Sequence, residues 1–280
     1  MDLRHRDELG WLSRILHEFQ AIVSAENMLL VGAMARDLLL HYAWEVPIAR
    51  ASQDVDLAVS IDQWAAYSEI RKALIETGNF SGVKGVSHRL VHHSGIPLDM
   101  LPFGGIADER GQIAWPGRDE EEMTVLGFQE GRDSAVRVQL PGNVCVPVVS
   151  LPMFVVLKLL AWSERRLSRP GVDAADLYLV LRTYERVGNE GRLFDEHDDL
   201  LEQNGFDHQV AYAQILGRDM QAKLRQFGSR PEPLLVRLRQ VLEAETKPDG
   251  PALLSTQGAG ERAEHMRQLL EGLLAGLNRE

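Results

Sequence analysis

The stretch VGAMARDLLLHYAWEVPIARASQDVDLAVS, residues 31–60, decides how the chain is read. Met28, Leu29 and Leu30 lead into it, and residues 28–31 have the apolar character of a short buried strand. Gly32 and Ala33 break that run, and a helical pattern follows over 34–42. Residues 53–59 then alternate acid and apolar before becoming wholly apolar, as a second strand would. Side chains alternate faces along a strand, so Asp54 and Asp56 point the same way. At about 3.3 Å per residue their Cα atoms are about 6.5–7 Å apart, a spacing at which two carboxylates can share a divalent cation. Upstream, small residues at a strand-to-helix turn let a phosphate reach the N–H groups of a helix N-terminus. A phosphate cradle beside a metal clamp is the basic equipment of phosphoryl or nucleotidyl transfer.

A third acid strengthens this reading. Asp99 lies in IPLDMLPF, residues 96–103, between Leu98 and Met100 in an otherwise apolar run. A buried, unpaired carboxylate there is costly, and a metal or a lysine would account for it. Three carboxylates suit Mg²⁺, which prefers oxygen ligands and keeps several waters. Two such ions about 3.5–4 Å apart can hold a triphosphate and activate the attacking oxygen. Asp99 is then the candidate base for the acceptor hydroxyl as well as a ligand.

Gly32-Ala33-Met34, the Asp54-x-Asp56 strand and the later Asp99 resemble the polymerase-beta-type nucleotidyltransferase superfamily. Within it the chain is most similar to the AbiEii-type toxins. KLLAWSERR at 158–166 and DAADLYL at 173–179 are similar to that family's Lys/Arg and Asp-rich helical motifs, so the resemblance spans roughly residues 28–181. Gly32-Ala33 departs from the usual Gly-Gly or Gly-Ser, and Met34 stands where a small hydroxyl residue is usual. The phrase VGAMARDLLL at 31–40 is also similar to the start of CCA-adding enzymes, but their downstream Arg-Arg-Asp motif is not found here.

The resemblance implies an α+β fold, with a nucleotidyltransferase-type mixed sheet and flanking helices followed by a helical C-terminal domain. It implies Asp54, Asp56 and Asp99 as catalytic residues and ligands of Mg²⁺ or Mn²⁺. It implies Gly32, Ala33, Met34, Lys158, Asp173 and Asp176 as contacts to an NTP substrate. It also implies a bacterial toxin with a cognate antitoxin.

Composition sets the outer bounds. The 280 residues suffice for two domains, and 45% hydrophobic with 25% charged residues is ordinary for a globular protein. The lone Cys145 excludes an intramolecular disulfide and a cysteine-built zinc site. MDLRHRDELGW lacks an apolar h-region, so no signal peptide is expected, and no apolar run reaches membrane-spanning length. The expected location is the cytoplasm. The net charge of −11 argues against a general nucleic-acid-coating protein. It leaves room for a local basic track, and Lys158, Arg165, Arg166, Arg169, Arg182 and Arg186 cluster in and between two expected helices.

Along the chain, residues 2–26 read as an opening helix, with Leu9, Trp11, Leu12, Ile15, Leu16, Phe19 and Ile22 at helical spacing. Residues 43–52 read as a loop and 61–77 as a helix. Strands are expected over 80–86, 88–93 and 96–101, with a hairpin formed by 136–140 and 144–149. Residues 119–123 read as a solvated acidic loop or helix start. From Pro152 the pattern is helical: 151–167, 172–187, 193–204, 209–227, 231–245 and 260–277, with 247–260 as a linker. A catalytic domain over 1–150 and a helical domain over 151–280 completing the substrate cleft are therefore expected.

Other motifs carry less. His88, His92 and His93 precede Asp99, but on a strand His92 and His93 face opposite sides, which argues against a shared metal site. Ser94 suggests a Ser/His/Asp arrangement, but no G-x-S-x-G elbow is present. Arg36 and Asp37 read as a local surface pair. Arg89 reads as exposed or as able to reach substrate. Lys158 is either a snorkelling surface residue or, by resemblance, a triphosphate contact. The sequence thus points to transfer of a nucleotide onto a hydroxyl, with a tRNA 3′ end favoured over a protein side chain. The competing class is an inactive nucleotide-binding or scaffold protein of the same fold.

Overall fold

The computed structural model describes residues 1–48, 52, 54–116, 122–169, 171–250 and 252–279. The chain divides into two compact units, Met1–Ser150 and Leu151–Glu280.

The first unit is a mixed sheet with helices. Its strands are β1 (Met28–Val31), β2 (Val55–Ser60), β3 (Phe80–Val83), β4 (Val86–His92), β5 (Pro97–Phe103), β8 (Val136–Leu140) and β9 (Val144–Val148), in the order β3-β4-β5-β2-β1-β9-β8. A separate ribbon pairs β6 (Gln112–Ala114) with β7 (Glu122–Thr124). Every β1 residue is buried, as befits a strand in the interior of the sheet. β2 is antiparallel to β1 and parallel to β5. Its apolar residues Val55, Leu57, Ala58 and Val59 are fully buried, while Asp56 keeps some exposure.

The helices of this unit are α1 (Gly10–Gln20), α2 (Gly32–Asp37), α3 (Trp64–Glu76) and α4 (Phe128–Asp133). α1 buries Leu12, Ile15, Leu16 and Phe19, the stripe that its spacing predicts. It is shorter than the expected 2–26, because Leu3 leaves it to donate its backbone N–H to Gln139 on β8. α2 begins directly at Gly32 and loosens into a π-helical turn at Leu38–Tyr42, so no separate turn precedes the helix. Gln53, expected to open β2, and residues 119–121 of the acidic run lie outside the described residues. Glu122 and Met123, expected in a loop or helix start, belong to β7.

The second unit is helical: α5 (Leu151–Arg165), α6 (Val172–Thr183), α7 (Arg192–Asp195), α8 (His208–Arg225), α9 (Glu232–Thr246), α10 (Leu253–Ala259) and α11 (Ala263–Leu277). The Asp207 carboxylate caps α8 by accepting from the N–H groups of Gln209 and Val210. Two expectations fail here. The helix over 193–204 is only the single turn α7 and a 3-10 turn at Asp198–Leu200. The linker over 247–260 contains α10, which is held by a 2.9 Å hydrogen bond from Trp162 Nε1 to Gln257 Oε1.

Helices α8 and α11 approach at backbone distance. A Cβ on Gly217 would lie 2.2 Å from the Leu273 carbonyl, and one on Gly276 would lie 2.0 Å from that of Gln214. Gly276→Ala is therefore expected to push the helices apart and destabilise the protein by about 1–3 kcal/mol. Urea denaturation measures this, and an unchanged midpoint would contradict the close approach.

Candidate active site

Register builds the site. Val31 pairs with Asp56, Asp56 with Asp99, and Asp99 with Arg89, giving one row across β1, β2, β5 and β4. Neighbouring strands lie about 4.8 Å apart, and paired residues project from the same face, so Asp56 and Asp99 stand side by side. Asp54 immediately precedes β2, and its charge acts on Arg89 together with those of Asp56 and Asp99.

Gly32 sets the other wall. Its φ is +67°, and a Cβ there would lie 1.9 Å from Asp56 Oδ2. The Asp56 carboxylate thus rests directly on the backbone at the start of α2, in space that any side chain would fill. Ala33 and Met34 follow in the first turn of α2, where Met34 is buried and Ala33 half-buried.

Asp54 is held from behind. Ser52 Oγ donates to Asp54 Oδ1 at 2.8 Å. The Ser52 N–H donates to Asp37 Oδ2 at 2.8 Å, and Asp37 in turn accepts from Arg36. Arg36 and Asp37 are buried, not the surface pair the sequence suggests, and they hold Ser52, which in turn holds Asp54. The sequence reading passed over Ser52, although its position two residues before Asp54 is the spacing of a local side-chain contact.

Asp99 is buried, and its partner is Arg89 rather than a lysine. Arg89 Nε donates to Oδ1 and Nη2 to Oδ2, both at 2.7 Å. These bonds hold the guanidinium above its ordinary pKa, with the charges of Asp99, Asp54 and Asp56 adding to the effect. Each Asp99 oxygen therefore already accepts one hydrogen bond, and its second lone pair is what remains for a proton or a cation. A nearby concavity of about 820 Å³ beside α3, lined by Trp64, Tyr67, Arg71, Ser87 and Trp115, includes none of the three aspartates.

In the second unit, Lys158, Asp173 and Asp176 come together. Lys158 Nζ donates to Asp173 Oδ1 at 2.9 Å and lies 2.7 Å from Asp176 Oδ2, and Arg165 Nε donates to Asp173 Oδ2 at 2.6 Å. Burial opposes the charge on Lys158, but the two carboxylates outweigh it and hold the ammonium above its ordinary pKa. Burial likewise opposes the charge on Asp173, and Arg165 and Lys158 bring its carboxyl below the ordinary value. Lys158 does not snorkel; it is the buried hub of an ion network. That network occupies Lys158 and Arg165, whereas Arg166, Arg169, Arg182 and Arg186 are exposed. Arg182 ends α6 and Arg186 lies in a following 3-10 turn, so the expected common helical face for the pair is interrupted.

The histidines also differ from expectation. β4 ends at His92, so strand alternation does not extend to His93, and the two rings lie 4.1 Å apart between centroids. With Glu18 they form a group whose ligand atoms are all within 4.8 Å of one another.

A family model, Nucleotidyl transferase AbiEii toxin of type IV toxin–antitoxin systems, matches residues 14–250. The chain belongs to that family. The solved structures it resembles include the antibiotic-resistance factor ANT(2'')-Ia, at 14% identity and TM-score 0.39 over 69% of this chain and 96% of that one. Another is an antigenic nucleotidyltransferase-like protein from Paracoccidioides brasiliensis, at 17% identity and TM-score 0.37 over 80% and 93% of the two chains. Curated proteins gave no match. The seven-stranded mixed sheet and the helical second unit are the α+β architecture expected of a nucleotidyltransferase.

The ion network yields a stability prediction. Lys158→Met leaves Asp176 without its ammonium and Asp173 with Arg165 alone, and is expected to cost about 3–5 kcal/mol. Because the folded pKa of Asp173 is depressed, its contribution is present above the unfolded value of about 3.9 and is lost as pH falls through the folded value. Asp173→Asn should therefore flatten the acid side of the stability profile. Denaturation at several pH values reads both effects, and a Lys158→Met loss below about 1 kcal/mol would place the pair among weak surface bridges.

Proposed function

We propose that this AbiEii-family nucleotidyltransferase moves a nucleotide from an NTP onto an acceptor hydroxyl, releasing pyrophosphate, with Asp54, Asp56 and Asp99 holding Mg²⁺ or Mn²⁺. The observation that carries this reading is the cross-strand row that sets Asp56 beside Asp99 over the Gly32 backbone. The donor set is all oxygen, which fits a hard divalent cation. Such an ion would neutralise charge on the transferring phosphate and lower the pKa of the attacking hydroxyl.

The chain's own residues do the rest. Ser52 orients the Asp54 carboxylate, and the Gly32 turn fixes Asp56. Arg89 grips both Asp99 oxygens and aims the carboxylate at the row, where a free lone pair can take the acceptor proton. On this reading Gly32, Ala33 and Met34 present the α2 N-terminus to phosphate, and Lys158, Asp173 and Asp176 contribute on the nucleotide side. Lys158 has three N–H donors and two carboxylate partners, so a triphosphate oxygen would take the third donor or displace a carboxylate.

The favoured acceptor is a tRNA 3′ end. The support is the set of exposed arginines at 166, 169, 182 and 186 on a body of net charge −11, a local basic area that suits phosphates. In the cell the chain would act as a toxin in the cytoplasm, restrained by a cognate antitoxin. Among the described residues no helix is long and apolar enough to cross a membrane.

Incubation with each labelled NTP, Mg²⁺ and tRNA tests the reading. Asp54→Asn and Asp56→Asn should each reduce transfer to background while retaining the wild-type melting temperature, because the exchange is nearly isosteric. Reversing the charge of Arg182 and Arg186 should lower transfer to tRNA, steepen its loss with salt no further, and leave NTP binding intact. Label found only on protein would replace the tRNA reading with side-chain nucleotidylation. NTP binding with no acceptor labelled would identify an inactive nucleotide-binding protein.

A further inference from the structure

The Glu18–His92–His93 group lies outside the nucleotidyl-transfer machinery. His92 is three positions beyond Arg89 on β4, so alternation turns it to the sheet face opposite the aspartates. There it meets Glu18 of α1, 74 residues earlier in the chain: His92 Nε2 is 2.9 Å from Glu18 Oε2. The His92 side chain is 1% exposed, so this is a buried imidazole with a defined partner at each nitrogen. On the other side, Ser94 Oγ is 2.7 Å from Nδ1, and the Ser94 N–H donates to Nδ1 at 3.2 Å.

The turn that follows brings in the third group. Gly95 N–H donates to the His92 carbonyl at 2.7 Å, and His93 N–H donates to the Asn79 carbonyl at 2.8 Å. The first bond closes the turn, the second ties His93 to the residue before β3, and the His93 ring lies 4.1 Å from that of His92 between centroids. His93 is exposed, leaving a route from solvent to the group.

We propose that Glu18, His92 and His93 form a zinc-binding site that ties α1 to the turn between β4 and β5. Two imidazoles and a carboxylate are a recurrent zinc ligand set, with the fourth position left to water. Imidazole nitrogen also favours zinc over Mg²⁺, which separates this site from the all-oxygen aspartate row. The proton balance is simple. Because Nδ1 accepts the Ser94 N–H, the neutral ring carries its proton on Nε2 and donates it to Glu18. Zinc takes the place of that proton on Nε2; the proton moves to Nδ1, which gives up the Ser94 N–H and donates to Ser94 Oγ instead, so that Ser94 becomes the partner that fixes the metal-bound ring.

The test is calorimetric titration of the full-length, chelator-treated protein with Zn²⁺ in excess Mg²⁺, which keeps the oxygen site occupied. The expected result is one saturable zinc per chain, with affinity lowered at least about tenfold in both His93→Ala and Glu18→Gln. His93 is exposed, so His93→Ala should match the wild-type melting temperature in chelator. Zinc should raise that temperature for the wild type and leave it unmoved for the variant. Absence of saturable binding, wild-type zinc affinity in either variant, or zinc uptake abolished by Asp56→Asn instead would each overturn the proposal.

Discussion

The candidate site depends on one close approach. Asp56 Oδ2 occupies the position where a side chain on residue 32 would begin, and residue 32 has a left-handed φ of +67°. Glycine meets both demands at once. The sequence reading assigned Gly32 to a phosphate. The structure gives it a second role: the Asp56 carboxylate settles against the end of β1 only because nothing projects from that backbone. Since β2 pairs with both β1 and β5, this contact also fixes where Asp99 stands.

A second constraint holds within each unit: these buried charges have partners of opposite sign. Asp99 has Arg89, Asp37 has Arg36, and Lys158 has Asp173 and Asp176. Removing one member of such a pair leaves the other desolvated, which is the expensive case. The same pairing supplies mechanism. Arg89 is a resident cation against a carboxylate that is proposed to bind a metal, so metal and arginine compete for the Asp99 oxygens. Lys158 is likewise a cation already compensated by two carboxylates, against which the proposed triphosphate contact would have to compete.

The elements of the site were legible because their signals are local. An apolar run ending in glycine, an acid–apolar alternation and an acid inside an apolar strand all show within a few residues, and β1, β2 and β5 form close to where those patterns lie. What was not legible depends on distant partners. Nothing in the residues around Arg89 says that β4 pairs with β5 so as to place it opposite Asp99. His92 and His93 misled because alternation holds only while the strand lasts. The three-residue strands β6 and β7 are too short for a period to show. α10 was hidden by a Gly, Ser and Thr composition that suits its packing, since a Cβ on Gly258 would lie 2.6 Å from the Ala174 carbonyl. The sequence left Lys158 between a surface residue and, by resemblance, a triphosphate contact, because a buried lysine is rare unless paired and its partners lie one helix further on.

Asp54, Asp56 and Asp99 are proposed to bind the divalent ion together, and electron paramagnetic resonance of Mn²⁺ titrated into the protein with NTP present tests this most directly. Bound Mn²⁺ is expected in the wild type, with loss of that binding in Asp56→Asn and tighter binding in Arg89→Gln, where the competing guanidinium is gone. Mn²⁺ bound equally by the wild type and Asp56→Asn would contradict it.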